Sequence, residues 1–226
     1  MEFLVDTADL NEIRDAAEHL PLSGVTCNPT IVRKSAPRDF FAHMRQVREI
    51  IGTERTLHIQ IIAEDAAGQL AEADRLFQEI DPEVYIKVPV TWEGLKTIQT
   101  LKKDCHHVTA TAVYDLMQAY MALAAGADYI APYVNRIGSC GADPYALIRN
   151  LSGRIDHDGY ACKIVAASFH SVQQVRDSLD AGAQAVTVSP ALLKGVYANP
   201  NITHAVADFA ADWHAVYGEG KGITNL

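Results

Sequence analysis

The chain has 226 residues, nearly half of them hydrophobic, and its net charge is −9 from 28 acidic and 19 basic side chains. This length is sufficient for one large domain with a sizeable core. The acidic balance argues against nucleic acid or an anionic membrane as a partner, because both are bound through a basic surface. Any anionic substrate must therefore be held by local groups.

The four cysteines are widely spaced and include no C-x-x-C pair. This spacing predicts reduced thiols rather than a disulfide framework or a metal site. The amino terminus lacks the positive region and apolar run of a signal peptide, and no stretch approaches a membrane span. We therefore expect a cytoplasmic protein.

Eight short apolar runs recur along the chain, separated by segments with helical spacing. The predicted strands cover residues 3–6, 24–28, 56–62, 84–90, 108–113, 129–134, 164–168 and 185–188. Strict alternation of strand and helix predicts a parallel sheet. Eight strand–helix units favour an α/β fold in which residues 1–226 form a single (β/α)8 TIM barrel. The alternative is an open doubly wound sheet, although no G-x-G-x-x-G turn follows the first strand.

Helix-start signals follow several of these strands. Asp9, Asp115 and Ser171 each begin a capping-box pattern or a close relative of one, and Asp143 precedes a proline suited to the first helical position. These signals lie where the alternating fold requires helices.

A further amphipathic segment, residues 203–217, predicts a C-terminal helix that extends from the barrel. Val206, Phe209, Trp213 and Val216 share one stripe of this segment. The pattern alone allows the stripe to pack either on its own barrel or on a neighbouring subunit.

Polar residues occupy the inward register near the ends of many predicted strands. Side chains at these positions are functional candidates in a barrel, because the carboxyl ends of all its strands meet at one mouth. Such residues are Asp6, Asn28, His58, Gln60, Thr109, Thr111, Tyr133 and Ser168.

Lys87 lies inside the apolar run 84–90, on the strand face opposite Ile86 and Val88. A lysine in this position either pairs with a carboxylate or keeps its amine for chemistry. Burial favours the neutral, nucleophilic form of an amine. The pattern by itself supports a buried ion pair with Asp6 equally well.

Five separated segments resemble the transaldolase family, and within it the fructose-6-phosphate aldolase branch of small bacterial enzymes. The matching segments are residues 5–8, 24–29, 86–94, 131–136 and 166–169. The resemblance covers essentially the whole chain. It implies a (β/α)8 barrel whose lysine on the fourth strand forms a Schiff base with a ketose, without a metal ion or cofactor.

The resemblance implies catalytic roles for five residues. Lys87 is implied as the Schiff-base nucleophile, and Asp6 as the group that assists proton transfers. Gln60, Thr111 and Tyr133 are implied to surround the catalytic water.

Substrate binding is implied for four more residues. Thr26 and Asn28 match positions that hold the dihydroxyacetone part, and Arg136 and Ser168 match positions that bind the phosphate. The implied partners are a sugar phosphate and dihydroxyacetone. A homo-oligomer is also implied, a decamer in which the C-terminal helix over 203–217 reaches a neighbour.

Three positions bear on the choice between aldolase and transaldolase. Transaldolases of the family place glutamate where Gln60 stands and phenylalanine where Tyr133 stands, and they carry an arginine shortly after the serine matched by Ser168. The residues present imply an aldolase that reversibly cleaves fructose 6-phosphate to dihydroxyacetone and glyceraldehyde 3-phosphate. The alternative is a transaldolase that transfers a dihydroxyacetone unit between sugar phosphates.

Three features depart from the aldolase pattern. Cys27 replaces a threonine, His170 replaces a lysine, and residues 138–143 differ in sequence. We expect Cys27 to be a packing residue, because strand alternation turns it away from Thr26 and Asn28.

Overall fold

Eight parallel strands close into a barrel in the computed structural model, which describes residues 1–226. The strands are β1 (Glu2–Asp6), β2 (Leu22–Thr26), β3 (Thr56–Gln60), β4 (Tyr85–Pro89), β5 (Val108–Val113), β6 (Tyr129–Pro132), β7 (Lys163–Ala166) and β8 (Ala185–Val188). Each strand pairs with its neighbours in sequence, and β1 pairs with β8. The predicted (β/α)8 barrel is confirmed, and the open sheet is excluded.

Helices connect successive strands, with two helices between β2 and β3 and two between β6 and β7. They are α1 (Leu10–His19), α2 (Pro29–Ser35), α3 (Phe40–Ile51), α4 (Ala66–Glu79), α5 (Trp92–Lys103), α6 (Leu116–Ala124), α7 (Val134–Ser139), α8 (Pro144–Asp158), α9 (Val172–Asp180), α10 (Pro190–Tyr197) and α11 (Pro200–Tyr217). All four predicted caps are confirmed, because the side chains of Asp9, Asp115, Asp143 and Ser171 accept hydrogen bonds from first-turn amides.

Several strands end one or two residues before the predicted boundaries. Asn28 lies beyond β2, where it caps α2, and Tyr133 lies beyond β6 at the cap position of α7. Ser168 lies beyond β7 with a φ of 65°. Asn28 and Tyr133 are cap residues of the helices that follow, so their backbones no longer belong to the strands. The alternation of polar and apolar residues does not show where a strand gives way to a helix.

The lower part of the barrel lumen is filled by side chains. Leu4, Tyr129, Ala131, Val165 and Ala185 form one buried cluster, against which a partly buried tyrosine of β4 packs. The alternate residues of the strands lie buried against the helices. The open end of the lumen is therefore the end at which the strands finish.

Met1–Pro190 and Ala191–Leu226 form two compact units. In the second unit, the predicted C-terminal helix is confirmed as α11, which begins at Pro200 because Asn199 caps it. None of its residues is buried, and the stripe residue Phe209 is 71% exposed. No helix in the fold combines the length and apolar character required to cross a membrane.

Candidate active site

Lys87 projects into the lumen from β4 and is 4% exposed. Its register partners are Gln60 on β3 and Thr109 on β5. Its amine forms no ion pair of 4.0 Å or less, so the direct pair with Asp6 considered above is not formed. The structure thus holds a buried amine without a bound carboxylate.

The carboxylate of Asp6 is bound to a hydroxyl group instead. Thr26 Oγ1 donates to Asp6 Oδ1 at 2.6 Å, and the same Oγ1 lies 2.7 Å from Thr187 Oγ1. Because Thr26 has one hydroxyl hydrogen, Thr187 is the donor in the second contact. The pattern of β8 was not sufficient to single out Thr187, which is the only polar residue in that four-residue strand.

The pKa of Asp6 is raised above its ordinary value. Burial is the main cause, and the positive charge of Lys87, the hydrogen bond from Thr26 and the charge of Lys34 oppose it. The carboxyl group is therefore easier to protonate than an exposed one. A carboxyl group with a raised pKa is suited to proton transfer.

Gln60 contributes a buried polar atom with no protein partner. Its side-chain Oε1 is inaccessible and accepts no hydrogen bond. Leaving a buried acceptor unpaired costs about 1–3 kcal/mol. Gln60 therefore carries, on the strand beside Lys87, an amide oxygen whose hydrogen-bonding capacity no protein group uses.

Tyr133 and Thr111 form a hydroxyl pair at the mouth. Their oxygen atoms lie 3.0 Å apart. The guanidinium of Arg136 lies over the Tyr133 ring, 5.0 Å from its centroid, and donates to the Tyr114 hydroxyl at 3.0 Å. Tyr114 was not identified from the sequence, because its pairing with Arg136 joins two separate segments of the chain.

Arg136 and Ser168 lie on segments that are hydrogen-bonded to each other. The amide of Asn135 donates to the Ser168 carbonyl at 2.9 Å. Gln174 on α9 joins the two segments, donating to Asn135 Oδ1 at 3.1 Å and accepting from the His170 amide at 2.7 Å. The backbone segments that carry Arg136 and Ser168 are thereby joined.

Asn28 and Cys27 follow β2. The Asn28 Oδ1 atom accepts from the amides of Thr30 and Ile31, so its amide hydrogens are the donors that remain for a ligand. Cys27 is 2% exposed, and burial raises the pKa of its thiol to about 12. The thiol is therefore protonated and packed, as expected from the strand alternation.

A mostly apolar cavity of about 460 Å³ adjoins this side of the site. Asn28 and Gln60 line it together with residues of α2, α3 and α4, whereas Lys87 and Asp6 do not. The cavity therefore lies beside the barrel wall rather than within the lumen.

The sequence matches one family model over nearly its whole length. The match to "Transaldolase/Fructose-6-phosphate aldolase" covers residues 3–220. The chain belongs to the transaldolase/fructose-6-phosphate aldolase family. A protein of Streptococcus pneumoniae (strain ATCC 700669 / Spain 23F-1) named "Probable fructose-6-phosphate aldolase" is 44% identical over 216 residues, which are 96% of this chain and 97% of that protein.

More distant structures share the fold of this transaldolase/fructose-6-phosphate aldolase family member. "Native KDPGal structure" aligns with a TM-score of 0.60 at 12% identity, covering 83% of this chain and 82% of that chain. A mandelate oxidase mutant with a monooxide FMN adduct aligns with a TM-score of 0.58 at 13% identity, covering 96% of this chain and 74% of that chain. These likenesses concern the barrel alone.

Proposed function

We propose that this chain is a class I aldolase that reversibly cleaves fructose 6-phosphate to dihydroxyacetone and glyceraldehyde 3-phosphate. The observation that carries the proposal is the buried amine of Lys87, which has no ion-pair partner and belongs to the strand residue paired in register with Gln60. The similarity to the Streptococcus pneumoniae protein supports the same activity.

In the proposed reaction, Lys87 Nζ adds to the ketose carbonyl at C2, and loss of water leaves an iminium ion. A base removes the proton of the C4 hydroxyl, the C3–C4 bond breaks, and its electron pair moves into the iminium to form an enamine. Glyceraldehyde 3-phosphate leaves as the aldehyde. Protonation of the enamine at C3 and hydrolysis of the iminium then release dihydroxyacetone and restore the amine.

The proton transfers are assigned to two groups. We assign removal of the C4 hydroxyl proton to Tyr133, or to a water held between Tyr133, Thr111 and Gln60, because the family resemblance implies that these three surround the catalytic water and the Tyr133 and Thr111 hydroxyls already lie 3.0 Å apart. Asp6 assists the steps of carbinolamine formation, for which its raised pKa is favourable.

Substrate binding uses opposite sides of the mouth. Thr26 and the amide hydrogens of Asn28 hold the hydroxyl groups of the dihydroxyacetone part. Arg136 supplies a permanently charged, planar donor group for the phosphate, with Ser168 beside it. This local cation explains how a chain of net charge −9 binds an anion.

A transaldolase is the second candidate, because the family name covers both activities. The two reactions share every step up to the enamine and differ in whether it is protonated and released or passed to an acceptor aldehyde. Tyr133 supplies a phenol at the mouth for that protonation, which favours release.

Two measurements test the proposal. Borohydride added with dihydroxyacetone should reduce the iminium to a stable amine on Lys87, which peptide mass spectrometry locates, and Lys96 on α5 should stay unmodified. Wild type, Lys87→Ala and the control Lys96→Ala are then assayed with fructose 6-phosphate alone. Free dihydroxyacetone produced by wild type and Lys96→Ala supports the aldolase. Turnover only with an added aldose phosphate would indicate the transaldolase, and turnover by Lys87→Ala would refute the mechanism.

We also propose that α11 packs on a neighbouring subunit of a homo-oligomer, a decamer as the family resemblance implies. Val206, Phe209 and Val216 are 62%, 71% and 73% exposed, and an apolar stripe of this kind is typical of an interface. Charged substitutions at Val206 and Phe209 should lower the mass measured by light scattering. An unchanged mass would contradict this assignment.

A further inference from the structure

Strand β5 contains one backbone irregularity, at Ala112. Its φ is 56°, in the left-handed region that residues other than glycine rarely adopt. The register between the two strands advances from residue 110 to residue 113 on β5 but only from residue 130 to residue 132 on β6. Thr111 and Ala112 therefore occupy one place in the ladder together, which is the arrangement of a β-bulge.

The bulge affects only one side of β5. Towards β4 the register stays regular as far as Thr111, which pairs with Pro89 and whose carbonyl accepts from the Val90 amide at 2.9 Å. The irregularity therefore begins at Ala112 and concerns the edge that adjoins β6. Loss of the bulge would shift the later residues of β5 by one position against β6 and turn their side chains to the opposite face of the sheet.

Tyr133 is held by the two residues that flank Ala112. Its hydroxyl oxygen lies 3.0 Å from Thr111 Oγ1, and its backbone amide donates to the Val113 carbonyl at 3.1 Å. One attachment fixes the phenol and the other fixes the backbone of the same residue. The conformation of Ala112 therefore sets the spacing between the two attachment points.

A contact with the proposed phosphate-binding side also follows the bulge. The ring of Tyr114 packs edge-on against the ring of Tyr133, with centroids 5.6 Å apart, and its hydroxyl accepts from Arg136 at 3.0 Å. Because Tyr114 comes two residues after Ala112, the direction of its side chain depends on the same register. The bulge thus bears on the phenol directly and on the guanidinium through Tyr114.

We infer that Ala112 is a positioning residue for Tyr133, because its left-handed backbone fixes the phenol against Thr111 at the mouth. Bulges next to active sites commonly re-aim a side chain in this way. The side chain of Ala112 has no polar atom, so the effect acts through the backbone alone. The inference rests on the proposed function, since it takes Tyr133 as a group that transfers protons.

The test follows the exchange of dihydroxyacetone hydrogens for deuterium in heavy water, measured by NMR. Exchange requires the iminium on Lys87 to lose a proton from the adjacent hydroxymethyl carbon, which gives the enamine, and the enamine then takes up a deuteron at the same carbon. Borohydride trapping on Lys87 requires only the iminium. The ratio of the exchange rate to the trapping rate therefore reports proton transfer separately from folding and from Schiff-base formation.

Substitutions at Ala112 with opposite backbone preferences should change this ratio differently. A β-branched side chain is strongly disfavoured in the left-handed region, whereas asparagine tolerates it. Ala112→Val should lower the ratio about tenfold or more, because proton transfer by a positioned group contributes about 10²–10⁴-fold. Ala112→Asn and Ala112→Gly should keep the ratio of wild type. Ala36→Val is the matched control, because Ala36 at the end of α2 also has a left-handed backbone, with a φ of 41°. It should lower the urea midpoint without changing the ratio.

The outcomes separate this inference from the proposed function. Trapping of wild type at Lys87, together with a wild-type ratio in folded Ala112→Val, would overturn the inference and leave the aldolase proposal intact. Equal losses in Ala112→Val and Ala112→Asn, or in Ala112→Val and Ala36→Val, would also overturn it, because bulk or strain alone would then explain the effect. If Ala112→Val does not fold, Ala112→Leu replaces it, because leucine is nearly the size of asparagine but avoids the left-handed region. Failure to trap wild type refutes the proposed function, and the inference with it.

Discussion

Replacing Thr26 by valine isolates the contribution of one hydroxyl group to the Asp6 carboxylate. The side chain is 1% exposed and valine has nearly its shape, so the change removes the 2.6 Å hydrogen bond without a large change in packing. A hydrogen bond to a charged group contributes about 1.5–3 kcal/mol. Because this bond stabilises the ionised carboxylate, its loss should raise the pKa of Asp6 further in the variant.

The assay is the pH dependence of kcat/KM for fructose 6-phosphate cleavage. A carboxyl group whose pKa rises is protonated at a higher pH, so the acid limb of the profile should move to higher pH in Thr26→Val. Thr26→Ser keeps the donor and should leave the limb in place. Thr187→Val removes the neighbouring hydroxyl but not the bond to Asp6, and it should behave like wild type. An acid limb that stays unmoved in Thr26→Val would refute a role for ionised Asp6.

Three further changes have defined outcomes. Gly24→Ala places a Cβ atom 2.2 Å from Thr56 Oγ1 and should lower the free energy of unfolding by about 1–3 kcal/mol, measured in urea. The depressed pKa of buried His58 means that the unfolded chain binds a proton that the folded chain does not. Stability is therefore lost as the pH falls below the unfolded pKa of about 6.5, and wild type should lose more stability than His58→Phe between pH 7 and 5. Tyr133→Phe removes the hydroxyl bonded to Thr111 and should slow release of free dihydroxyacetone more than Schiff-base formation.

Each of these expectations has a contrary result. Unfolding of Gly24→Ala at the wild-type urea midpoint would show that Thr56 can move aside without cost. Parallel pH dependences of unfolding for wild type and His58→Phe would contradict a neutral buried ring. Release of dihydroxyacetone by Tyr133→Phe at the wild-type rate would remove the phenol from the proton-transfer step.

The alternation of strands and helices was predictable because each element leaves a periodic pattern of its own. The strand ends were not, since Asn28 and Tyr133 continue the alternation although they already precede helices α2 and α7. The alternation of side chains along a strand does not show at which residue the backbone stops bonding to neighbouring strands and starts bonding within a helix.

Residues of the candidate site were predictable from the sequence where they lie on a strand, but not where their role depends on a contact with a distant segment. Lys87 is conspicuous as a charge within an apolar strand, and the inward register of Gln60 follows from alternation. Thr187 and Tyr114 were missed because their significance lies in contacts with Thr26 and Arg136, and the first of these spans 161 residues. Pairings between distant segments become visible only when the barrel closes.

The central claim is that Lys87 carries the ketose as a Schiff base. The most direct test is mass spectrometry of the intact chain after borohydride reduction with dihydroxyacetone, followed by peptide mapping. We predict one adduct per chain, located on Lys87 and absent from Lys87→Ala. An unmodified Lys87, or an equal adduct on Lys87→Ala, would contradict the account.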